Sequence, residues 1–402
     1  MGVLWCDDGV WSAWIDALLI TLLGIKMKEQ KICTRCVLDN TVPDIWYDEN
    51  GECKYCKIHD EMEKKYPLGK IGKEMLNRII ENIKRDGKGK RYDCIVGFSG
   101  GRDSTYTLLR AVKLGLRPLA VHFDNGWNSE TAVSNIKKTT DKLGVDLHTV
   151  VADWEEFKSL QIAFLRASVP DAETPTDYAI YSVLFNEAAK EGIKYVLQGH
   201  SFRTEGTSPI GWTYMDGRYL RDIFQRYGAG KIKSFPLMSM SKLLYYILLK
   251  RIKEVRLLEY VEYNQKKVDT ALKKELDWTY YGGHHHESVY TKFFQSYLLP
   301  KKFNIDKRKT ECSALVRSGQ LTRKEALKKL KTPYPFDESN VDYCIKKLGL
   351  SKKQFEEINN TPAKSFHDYR TYYPLMQMCK VLIKIACRLH ILPPILRLKY
   401  LQ

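Results

Sequence analysis

The residues with the clearest chemical potential form the string SGGRDS, which begins at Ser99 between an apolar run and a stretch with helical periodicity. Gly100 and Gly101 allow the backbone to approach a phosphate closely, and the amides at a helix N-terminus attract negative charge. Ser99 and Ser104 add hydroxyl donors, and Asp103 is placed to hold a Mg²⁺ ion between phosphates. The string therefore predicts a nucleotide phosphate site, with a ligand-free tight turn as the alternative.

Four cysteines form a second motif. Cys33 and Cys36 make one CxxC pair, and Cys53 and Cys56 make another after 16 intervening residues. Two thiolates at that spacing fit two vertices of a tetrahedron, so two pairs close a four-cysteine Zn²⁺ site. An Fe–S cluster and a redox pair are the alternatives. A site with four thiolates leaves no open position, which favours a structural role over catalysis.

A third cluster, YYGGHHHES, contains Tyr281, the run His284, His285 and His286, and then Glu287. Histidine titrates near neutrality, so these side chains could transfer protons or bind a sugar or a phosphate. A hydrogen-bonded structural turn is the alternative.

A dense basic stretch downstream includes Lys307 and Arg308. These side chains suit a diphosphate or carboxylate substrate, with a solvated helix end as the alternative. The wider charge distribution is also uneven. From Lys231 onward the chain has 34 Lys and Arg against 16 Asp and Glu, although the net charge of the whole chain is +17. This surplus could meet phosphates, an anionic membrane face or an acidic partner.

The elements that must position these motifs alternate along the chain. Apolar runs typical of strands occupy residues 93–98, 119–123, 147–151 and 195–198. Amphipathic stretches separate them, which predicts βαβ units and a Rossmann-like α/β fold with a parallel sheet. From about residue 231 the pattern changes to long basic amphipathic segments, beginning with Ser241–Val255, and predicts a mostly helical region. The last stretch, Leu375–Leu392, is interpreted as a docking helix or, alternatively, a membrane-surface helix.

The predicted organisation has four parts: an apolar extension 1–27, a zinc ribbon 28–62, a nucleotide-binding α/β domain 63–230 and a basic helical docking domain 231–402. The composition, 44% hydrophobic and 28% charged, is that of an ordinary globular protein. The extension is too short and too acidic for a signal peptide or a spanning helix. Because Met27 is a plausible start, the extension is either a start-site artefact or a loose amphipathic segment. Both interpretations predict a cytoplasmic protein.

The SGGRDS string resembles the PP-loop of the ATP pyrophosphatases, such as asparagine, GMP and NAD synthetases and tRNA thiolases, and the chain lacks the GxxxxGK[ST] of kinase-like NTPases. This resemblance implies an adenine nucleotide α-hydrolase-like fold, with pyrophosphate as the leaving group. HFDNGW lies at the usual ligand edge and resembles the turn that borders the adenosine. Phe123, Asp124 and Asn125 are thus candidates for nucleotide or Mg²⁺ contact, or turn formers. Gly199 and His200 look like the second loop beside ATP.

Together, the CxxC pairs, FSGGRDSTY, HFDNGW, GHSFRTEG, YYGGHHHES and DKRK resemble the N-acetyl sugar amidotransferases, the PP-loop family of WbpG-, PseA- and LegG-type proteins. The resemblance covers about residues 28–370. It implies that the acetamido carbonyl of a nucleotide-activated sugar is adenylated and that ammonia then displaces AMP. The product would be an acetamidino sugar for surface polysaccharide (LPS O-antigen) or flagellar glycan. The catalytic candidates are then Asp103, His285, His286 and Glu287, and the substrate-binding candidates are Tyr281, His284, Lys307 and Arg308.

The source of ammonia must be a partner, because no cysteine of the chain has a glutaminase context. The resemblance implies a separate glutaminase subunit and an ammonia-conducting barrel subunit, both like those of imidazole glycerol phosphate synthase. ATP, Mg²⁺ and Zn²⁺ are the expected cofactors, and nucleic acid is not an expected partner. The alternative is a PP-loop tRNA-modifying enzyme of the thiolation type, whose RNA would suit the basic half. Such thiolases generally need cysteines in the catalytic domain, and none lies between Gly97 and Phe303.

Overall fold

The computed structural model describes residues 31–283, 285–389, 391, 392, 397 and 400. The predicted N-terminal extension and His284 lie outside the described residues. Within the described residues, no helix is both long and apolar enough to cross a bilayer.

A five-stranded parallel sheet forms the centre of the protein. Its strands are β1 Cys94–Gly97, β2 Pro118–Asp124, β3 Leu147–Val151, β4 Tyr195–Gln198 and β5 Lys253–Arg256. They lie in the order β3-β2-β1-β4-β5, and every neighbouring pair is parallel. The predicted α/β fold class is confirmed, with a helical C-terminal region and a four-cysteine cluster at the N-terminal side.

The fifth strand corrects one sequence prediction. The helix expected over Ser241–Val255 is wrong at its end, because residues from Lys253 onward extend the sheet. Lys253 N–H donates to Lys194 O at 2.7 Å, and Val255 lies beside Leu197 of β4. Backbone groups along an uncovered edge of β4 would lack partners, and pairing with β5 supplies them.

Helices surround the sheet. In chain order they are α1 Lys54–Lys65, α2 Gly69–Asp86, α3 Arg102–Lys113, α4 Glu130–Leu143, α5 Trp154–Ala167, α6 Thr174–Lys190, α7 Gly217–Tyr227, α8 Met240–Leu244, α9 Gln265–Leu276, α10 Val289–Phe293, α11 Leu299–Phe303, α12 Arg308–Arg317, α13 Arg323–Lys331, α14 Glu338–Lys347, α15 Lys352–Asn360, α16 Tyr373–Met378 and α17 Lys380–Arg388. Two π-helical turns, Tyr245–Leu249 and Phe294–Leu298, and two 3₁₀ turns, Leu257–Tyr260 and Phe366–Asp368, join some of them.

The central strands bury both faces, as parallel strands covered by helices do. In β1, Cys94 and Val96 join an apolar cluster with Leu108 of α3, whereas Ile95 joins a second cluster with Leu184 of α6. Successive side chains of a strand point to opposite faces, so one four-residue strand serves both cores. α3 and α6 therefore cover opposite faces of the sheet and hold the carboxyl ends of its strands in place.

The C-terminal region is helical, as the sequence predicts, but it is not separate from the sheet. Leu272 and Leu276 of α9 pack in the same cluster as Val96 of β1. β5 also lies beyond the boundary predicted at residue 230. The four-part division stays a prediction.

Candidate nucleotide site

The turn between β1 and α3 has a backbone that requires glycine. Gly100 adopts φ +74°, and a Cβ atom there would lie 2.6 Å from the carbonyl oxygen of Ala132. Trp278 Nε1–H donates to Gly100 O at 3.0 Å, and Asn135 Nδ2–H also donates to it at 3.4 Å. The turn is thus fixed from two sides, by α4 and by the segment after α9.

The hydroxyls of the turn converge at the N-terminus of α3. Ser99 N–H donates to Ser104 Oγ at 3.2 Å, and the two hydroxyl oxygens lie 3.1 Å apart. Gly101 N–H donates to Ser99 Oγ at 3.3 Å. This gives a compact group of donors at a helix N-terminus, which is the arrangement that binds anions in proteins. The two serines that the sequence assigns to one site thus lie side by side, and their contact with a nucleotide stays a prediction.

Asp103 lies beside this turn in a dehydrated environment. Burial and, after it, the neighbouring charge of Glu205 raise the pKa of its carboxyl to about 7. Tyr263 Oη–H donates to Asp103 Oδ1. Gly199, after β4, faces the same point, since a Cβ atom there would lie 2.7 Å from the Asp103 backbone. A carboxylate held in this way would gain strongly from a cation.

The described residues of the segment 281–287, which exclude His284, approach the turn through Tyr281 and Glu287. Tyr281 Oη accepts a hydrogen bond from Arg102 N–H at 3.1 Å. The Arg102 side chain is itself fixed on α9, because its Nε–H and Nη2–H donate to the Asp269 carboxylate at 2.5 and 3.0 Å. Glu287 O accepts from Ser129 N–H at 2.8 Å at the start of α4. Helices α3, α4 and α9 therefore set the position of this segment.

The Glu287 carboxylate reaches the phosphate turn itself. Its Oε1 lies 3.5 Å from Ser99 Oγ and would lie 2.7 Å from a Cβ atom on Gly101. Its Oε2 is buried and has no hydrogen-bond partner among the residues that the structure describes. Glycine at 101 keeps open a space that is bordered by serine hydroxyls on one side and a carboxylate on the other.

Two family models match this chain, and their matched regions meet at this point. Residues 93–182, with β1, the SGGRDS turn and β2, match the queuosine biosynthesis protein QueC family, a PP-loop ATP pyrophosphatase family. Residues 287–382, beginning at Glu287, match the C-terminal domain of LPS biosynthesis proteins that are WbpG-like. The matched regions are those of a WbpG-type PP-loop protein, which confirms the predicted resemblance.

Similar individual proteins add little about function. An uncharacterised protein of Methanocaldococcus jannaschii is 29% identical over 170 residues, which are 42% of this chain. This chain spans 58% of the length of that relative. A solved structure of a predicted tRNA methyltransferase subunit from the same organism is 16% identical over 44% of this chain and 72% of its own. Its TM-score is 0.27, which is too low to carry an argument.

The residues of this site fit ATP and Mg²⁺, the groups that the PP-loop family uses. Gly101 leaves the phosphate space free, and Ser99, Ser104 and the α3 N-terminus surround it with donors. Asp103 offers a buried carboxyl beside it. The individual roles predicted for these residues stay predictions.

The predicted proton-transfer residues differ in charge. His285 adopts φ +59°, and its Nδ1 lies 3.6 Å from Glu287 Oε1. Burial disfavours its cation, but the Glu287 carboxylate outweighs this and raises the pKa of His285 to about 10. Despite burial, the pKa of Glu287 is lowered by His285. Burial and the Lys292 charge lower the pKa of His286 to about 4, and its Nε2 lies 3.5 Å from Tyr334 Oη. His285 is therefore cationic and His286 neutral at pH 7.

The residues at the carboxyl end of β2 are held within the fold. The Phe123 ring is buried against Phe157, with ring centroids 6.1 Å apart. Asp124 Oδ1 accepts from Gly126 N–H at 2.9 Å and from the Asn128 side chain at 3.0 Å. Asn125, which is also buried, donates to Thr176 Oγ1 at 3.1 Å. These contacts explain the turn, and nucleotide contact by these residues stays a prediction.

His200 follows β4 and pairs with Glu205. Its Nδ1 lies 2.9 Å from Glu205 Oε2, and this carboxylate raises the pKa of His200. Because Glu205 also raises the pKa of Asp103, the loop after β4 and the PP-loop share one electrostatic environment. The string GHSFRTEG contains Glu205, but the sequence alone gave no reason to connect it with Asp103.

Lys307 and Arg308 have different surroundings although they are adjacent. Lys307 Nζ lies 3.5 Å from Ser208 Oγ, and burial lowers the pKa of its ammonium while the charges of Glu173 and Asp177 raise it. The Arg308 guanidinium instead donates within the protein, to the Asp306 carboxylate at 2.6 Å and to Thr332 O at 2.8 Å. Lys307 is thus the better placed of the two predicted substrate contacts.

Glu173, at the start of α6, was not predicted as a site residue. Burial and the nearby charge of Asp177 raise the pKa of its carboxyl. Gln295 Nε2–H donates to Glu173 Oε2 at 3.1 Å. The charge of Lys307 counteracts the raised pKa, although no ion pair joins the two side chains within the described residues. A partly buried carboxyl and a partly buried ammonium thus lie close enough to influence each other's charge. No local motif marked Glu173.

The four predicted zinc ligands come together in a buried group. The Sγ atoms of Cys33 and Cys56 lie 3.7 Å apart, those of Cys36 and Cys53 3.6 Å, and those of Cys53 and Cys56 3.8 Å. A tetrahedral ion with Zn–S bonds of about 2.3 Å requires S–S edges of about 3.8 Å. All four sulfurs lie within 4.8 Å of one another. The cluster therefore fits a tetrahedral metal ion such as zinc.

The cysteine cluster docks onto the C-terminal helices. The Arg323 side chain of α13 donates to Cys33 O at 2.8 Å and to Cys36 O at 3.0 Å. Lys309 of α12 pairs with Asp39 at 2.7 Å. α12 begins directly after Lys307, so the metal cluster supports the helix that presents this lysine.

Proposed function

We propose that this protein is an ATP-dependent amidotransferase that converts the acetamido group of a nucleotide-activated N-acetyl sugar into an acetamidino group, with release of AMP and pyrophosphate. One observation carries the proposal. Glu287, the first residue of the WbpG-like C-terminal match, lies 3.5 Å from Ser99 in the PP-loop match. A residue of the family-specific region thus borders the space where the nucleotide phosphates would bind.

The PP-loop residues would prepare ATP for attack at its α-phosphorus. The Ser99 and Ser104 hydroxyls and the α3 N-terminus would orient the pyrophosphate and stabilise the charge that develops as it leaves. Asp103 and the neighbouring Glu205 are the residues that would hold Mg²⁺, which supplies charge neutralisation at the phosphates. The sugar amide oxygen forms the bond to the α-phosphorus while the bond to pyrophosphate breaks.

His285 and Glu287 would act as a fixed pair beside the phosphates. Because the pKa of His285 is about 10, the imidazolium persists at neutral pH and cannot serve as a general base there. It would instead stabilise negative charge on the leaving groups. His286 is neutral at pH 7, since its pKa is about 4, and it is the better candidate to accept a proton from the attacking ammonia.

The sugar nucleotide would lie between the PP-loop and α12. Lys307 suits its diphosphate, and Glu173 with Gln295 would supply hydrogen bonds for the sugar hydroxyls. Such polar groups discriminate strongly, because a substrate that lacks the matching hydroxyl leaves them unpaired. Ammonia would come from a separate glutaminase subunit through a barrel subunit of the imidazole glycerol phosphate synthase type. Synthesis of LPS O-antigen or flagellar glycan is the proposed context.

The test is pyrophosphate release from ATP and Mg²⁺ by the purified protein with ammonium chloride, with candidate UDP-acetamido sugars compared with bulk tRNA. The proposal expects release only with a sugar nucleotide, and a product one mass unit lighter because NH replaces O. Asp103→Asn should lower the rate by about 10²–10³-fold, the usual effect of losing one group that stabilises transition-state charge. Asp141→Asn, on α4, is the matched control and should retain the rate.

The tRNA arm decides between the two candidate functions. Release that requires tRNA, with all sugars inert, would overturn the amidotransferase and support the tRNA-modifying alternative. Release with neither substrate but with the fold intact would also reject the proposed substrate class.

A further inference from the structure

Two segments of the protein expose large apolar side chains and contain no acidic residue. Segment A, residues 239–253, exposes Leu248 by 54% and Leu249 by 72%. Segment B, residues 373–389, exposes Met378 by 82% and Leu382 by 68%. A side chain of this size is normally buried, and contiguous exposed groups of them mark interaction surfaces.

The charges of both segments are exclusively positive. The basic residues are Lys242, Lys250, Arg251 and Lys253 in segment A, and Lys380, Lys384 and Arg388 in segment B. In α17, Lys380, Lys384 and Arg388 follow one another at intervals of four, so they share one side of the helix. The exposed Val381, Ile385 and Leu389 follow the same interval on the adjacent side. This is the pattern of a helix that lies flat in a membrane interface.

The residues that precede the two segments both contact the N-terminus of α7. The carbonyl oxygen of Met238, directly before segment A, accepts a hydrogen bond from the Tyr178 hydroxyl. Both atoms lie beside Gly217, the first residue of α7. Tyr372, directly before segment B, donates its N–H to the N-cap residue Asp216 at 2.7 Å. The two segments therefore begin beside the same turn of the fold.

A basic cavity lies at the same place. It has a volume of about 350 Å³, and Arg218, His367 and Arg370 line it together with Tyr373 and Leu375 at the start of segment B. Arg218 and Arg370 are both exposed. Arginine side chains in a concave site suit a phosphate group, and the cavity opens beside apolar side chains that suit acyl chains.

We propose that segments A and B and this cavity form a surface that binds an anionic phospholipid membrane, with α17 lying in the headgroup region. Charge complementarity decides the occupant. A protein partner would not require an all-basic border on both segments, whereas an anionic bilayer attracts each Lys or Arg near its surface and accepts the apolar side chains between them. The inference does not depend on the proposed amidotransferase reaction.

The experiment is co-sedimentation of the full chain with vesicles of phosphatidylglycerol and phosphatidylcholine, against vesicles of phosphatidylcholine alone. We expect binding that requires phosphatidylglycerol and weakens as salt rises. Lys380→Glu with Lys384→Glu should weaken binding at least 25-fold, since each basic residue near such a surface contributes about fivefold. Leu248→Glu with Leu382→Glu should also abolish it. Ile71→Glu is the matched control, because Ile71 is an apolar residue of α2 that is 60% exposed and lies outside both segments. This variant should bind normally.

The remaining outcomes discriminate against the proposal. Equal binding to neutral vesicles, or binding unchanged in both double variants, would overturn it and would implicate another segment, such as residues 1–26. A folded protein that binds no vesicles but dimerises through Leu248 and Leu382, as measured by light scattering, would assign the surface to a second copy. Competition by glycerol phosphate without vesicle binding would reduce the cavity to a soluble-phosphate site. Thermal unfolding of each variant checks that the fold is retained.

Discussion

The cysteine cluster differs from the nucleotide edge, the SGGRDS turn with Glu287 at the carboxyl ends of the strands, in how its residues are brought together. Cys33 and Cys56 are 23 positions apart in the chain, and their sulfurs meet in a site that a metal ion would close. Ser99 and Glu287 are 188 positions apart, and they meet only because α3, α4 and α9 are packed correctly. The edge also keeps Asp103 in a buried environment that disfavours its charge. The cluster is thus built for stability, whereas the edge gives up stability for chemistry.

The largest expected effect is on the cluster side. Cys36→Ser removes one of four ligands, and metal binding to such small sites contributes about 10–16 kcal/mol of folding free energy at pH 7. We expect loss of bound zinc, measured by mass spectrometry of the metal, and a decrease of several kcal/mol in the free energy of unfolding. Cys94→Ala, a buried cysteine of β1, is the control and should keep the metal. A stable, zinc-free Cys36→Ser protein would contradict the structural role.

On the edge side, Glu287→Gln should reduce activity strongly and cost less stability than the loss of a cysteine ligand, although it removes the pairing that keeps His285 charged. The amide keeps the shape but no longer holds the His285 cation, so the pKa of His285 should fall from about 10 towards its ordinary value. As the pH is raised, His285 would therefore lose its proton at a lower pH in the variant than in the wild type. We expect about 10²-fold slower pyrophosphate release, with the alkaline limb of its pH profile shifted to lower pH.

Glu130→Gln, at the exposed start of α4, is the matched control for this prediction. An unchanged alkaline limb in Glu287→Gln would show that His285 does not limit the reaction. A loss of thermal stability in Glu287→Gln as large as that in Cys36→Ser would contradict the contrast between the cysteine cluster and the nucleotide edge.

The difference between the two regions also explains which parts of the protein were predictable. The CxxC spacing and the SGGRDS turn are local, so the sequence alone identified four metal-ligand candidates and the two serines of the phosphate turn. Strands β1 to β4 were predicted because their apolar runs are continuous. The helix Trp154–Ala167 was overlooked although Asp153 is its N-cap and two glutamates follow in its first turn.

The missed residues are those whose environment depends on distant packing. Tyr263 donates to Asp103 across 160 positions, and Gln295 donates to Glu173 across 122. Neither lies in a recognisable motif. Similarly, β5 was predicted as helix because KEVR has no strong strand pattern, and only pairing with β4 decides its conformation. Such tertiary effects override local propensity.

A smaller effect is expected where the cluster docks. Arg323→Ala removes hydrogen bonds to the carbonyl oxygens of Cys33 and Cys36, and leaves those partly buried acceptors unpaired. The expected cost is about 1–3 kcal/mol in the free energy of unfolding, measured by denaturant titration, with the zinc content unchanged. Lys324→Ala, the exposed neighbour on α13, should have no effect. Loss of zinc from Arg323→Ala would show that docking and metal binding are one event.

The last test asks whether the edge side carries a stability cost. Glu259, in the 3₁₀ turn that follows β5, is fully buried, and neither carboxylate oxygen has a hydrogen-bond partner within the described part of the chain. Arg256 Nη1 lies 4.0 Å from its Oε1. Burial raises the pKa of Glu259 to about 7, although the charges of Arg256 and Arg203 oppose the shift.

The sign of the pH dependence follows from this raised pKa. Between about pH 4 and 7 the unfolded chain has lost the Glu259 proton and the folded protein retains it, so Glu259 lowers stability as pH rises through this window. The full cost, on the order of 3 kcal/mol, applies above pH 7. Between pH 5 and pH 8 the wild type should therefore lose free energy of unfolding that Glu259→Gln retains. Urea unfolding of both proteins at both pH values measures this difference. Glu262→Gln, an exposed neighbour, should show the wild-type difference. If Glu259→Gln shows it too, the buried carboxyl carries no cost and the contrast between the two regions is confined to Asp103.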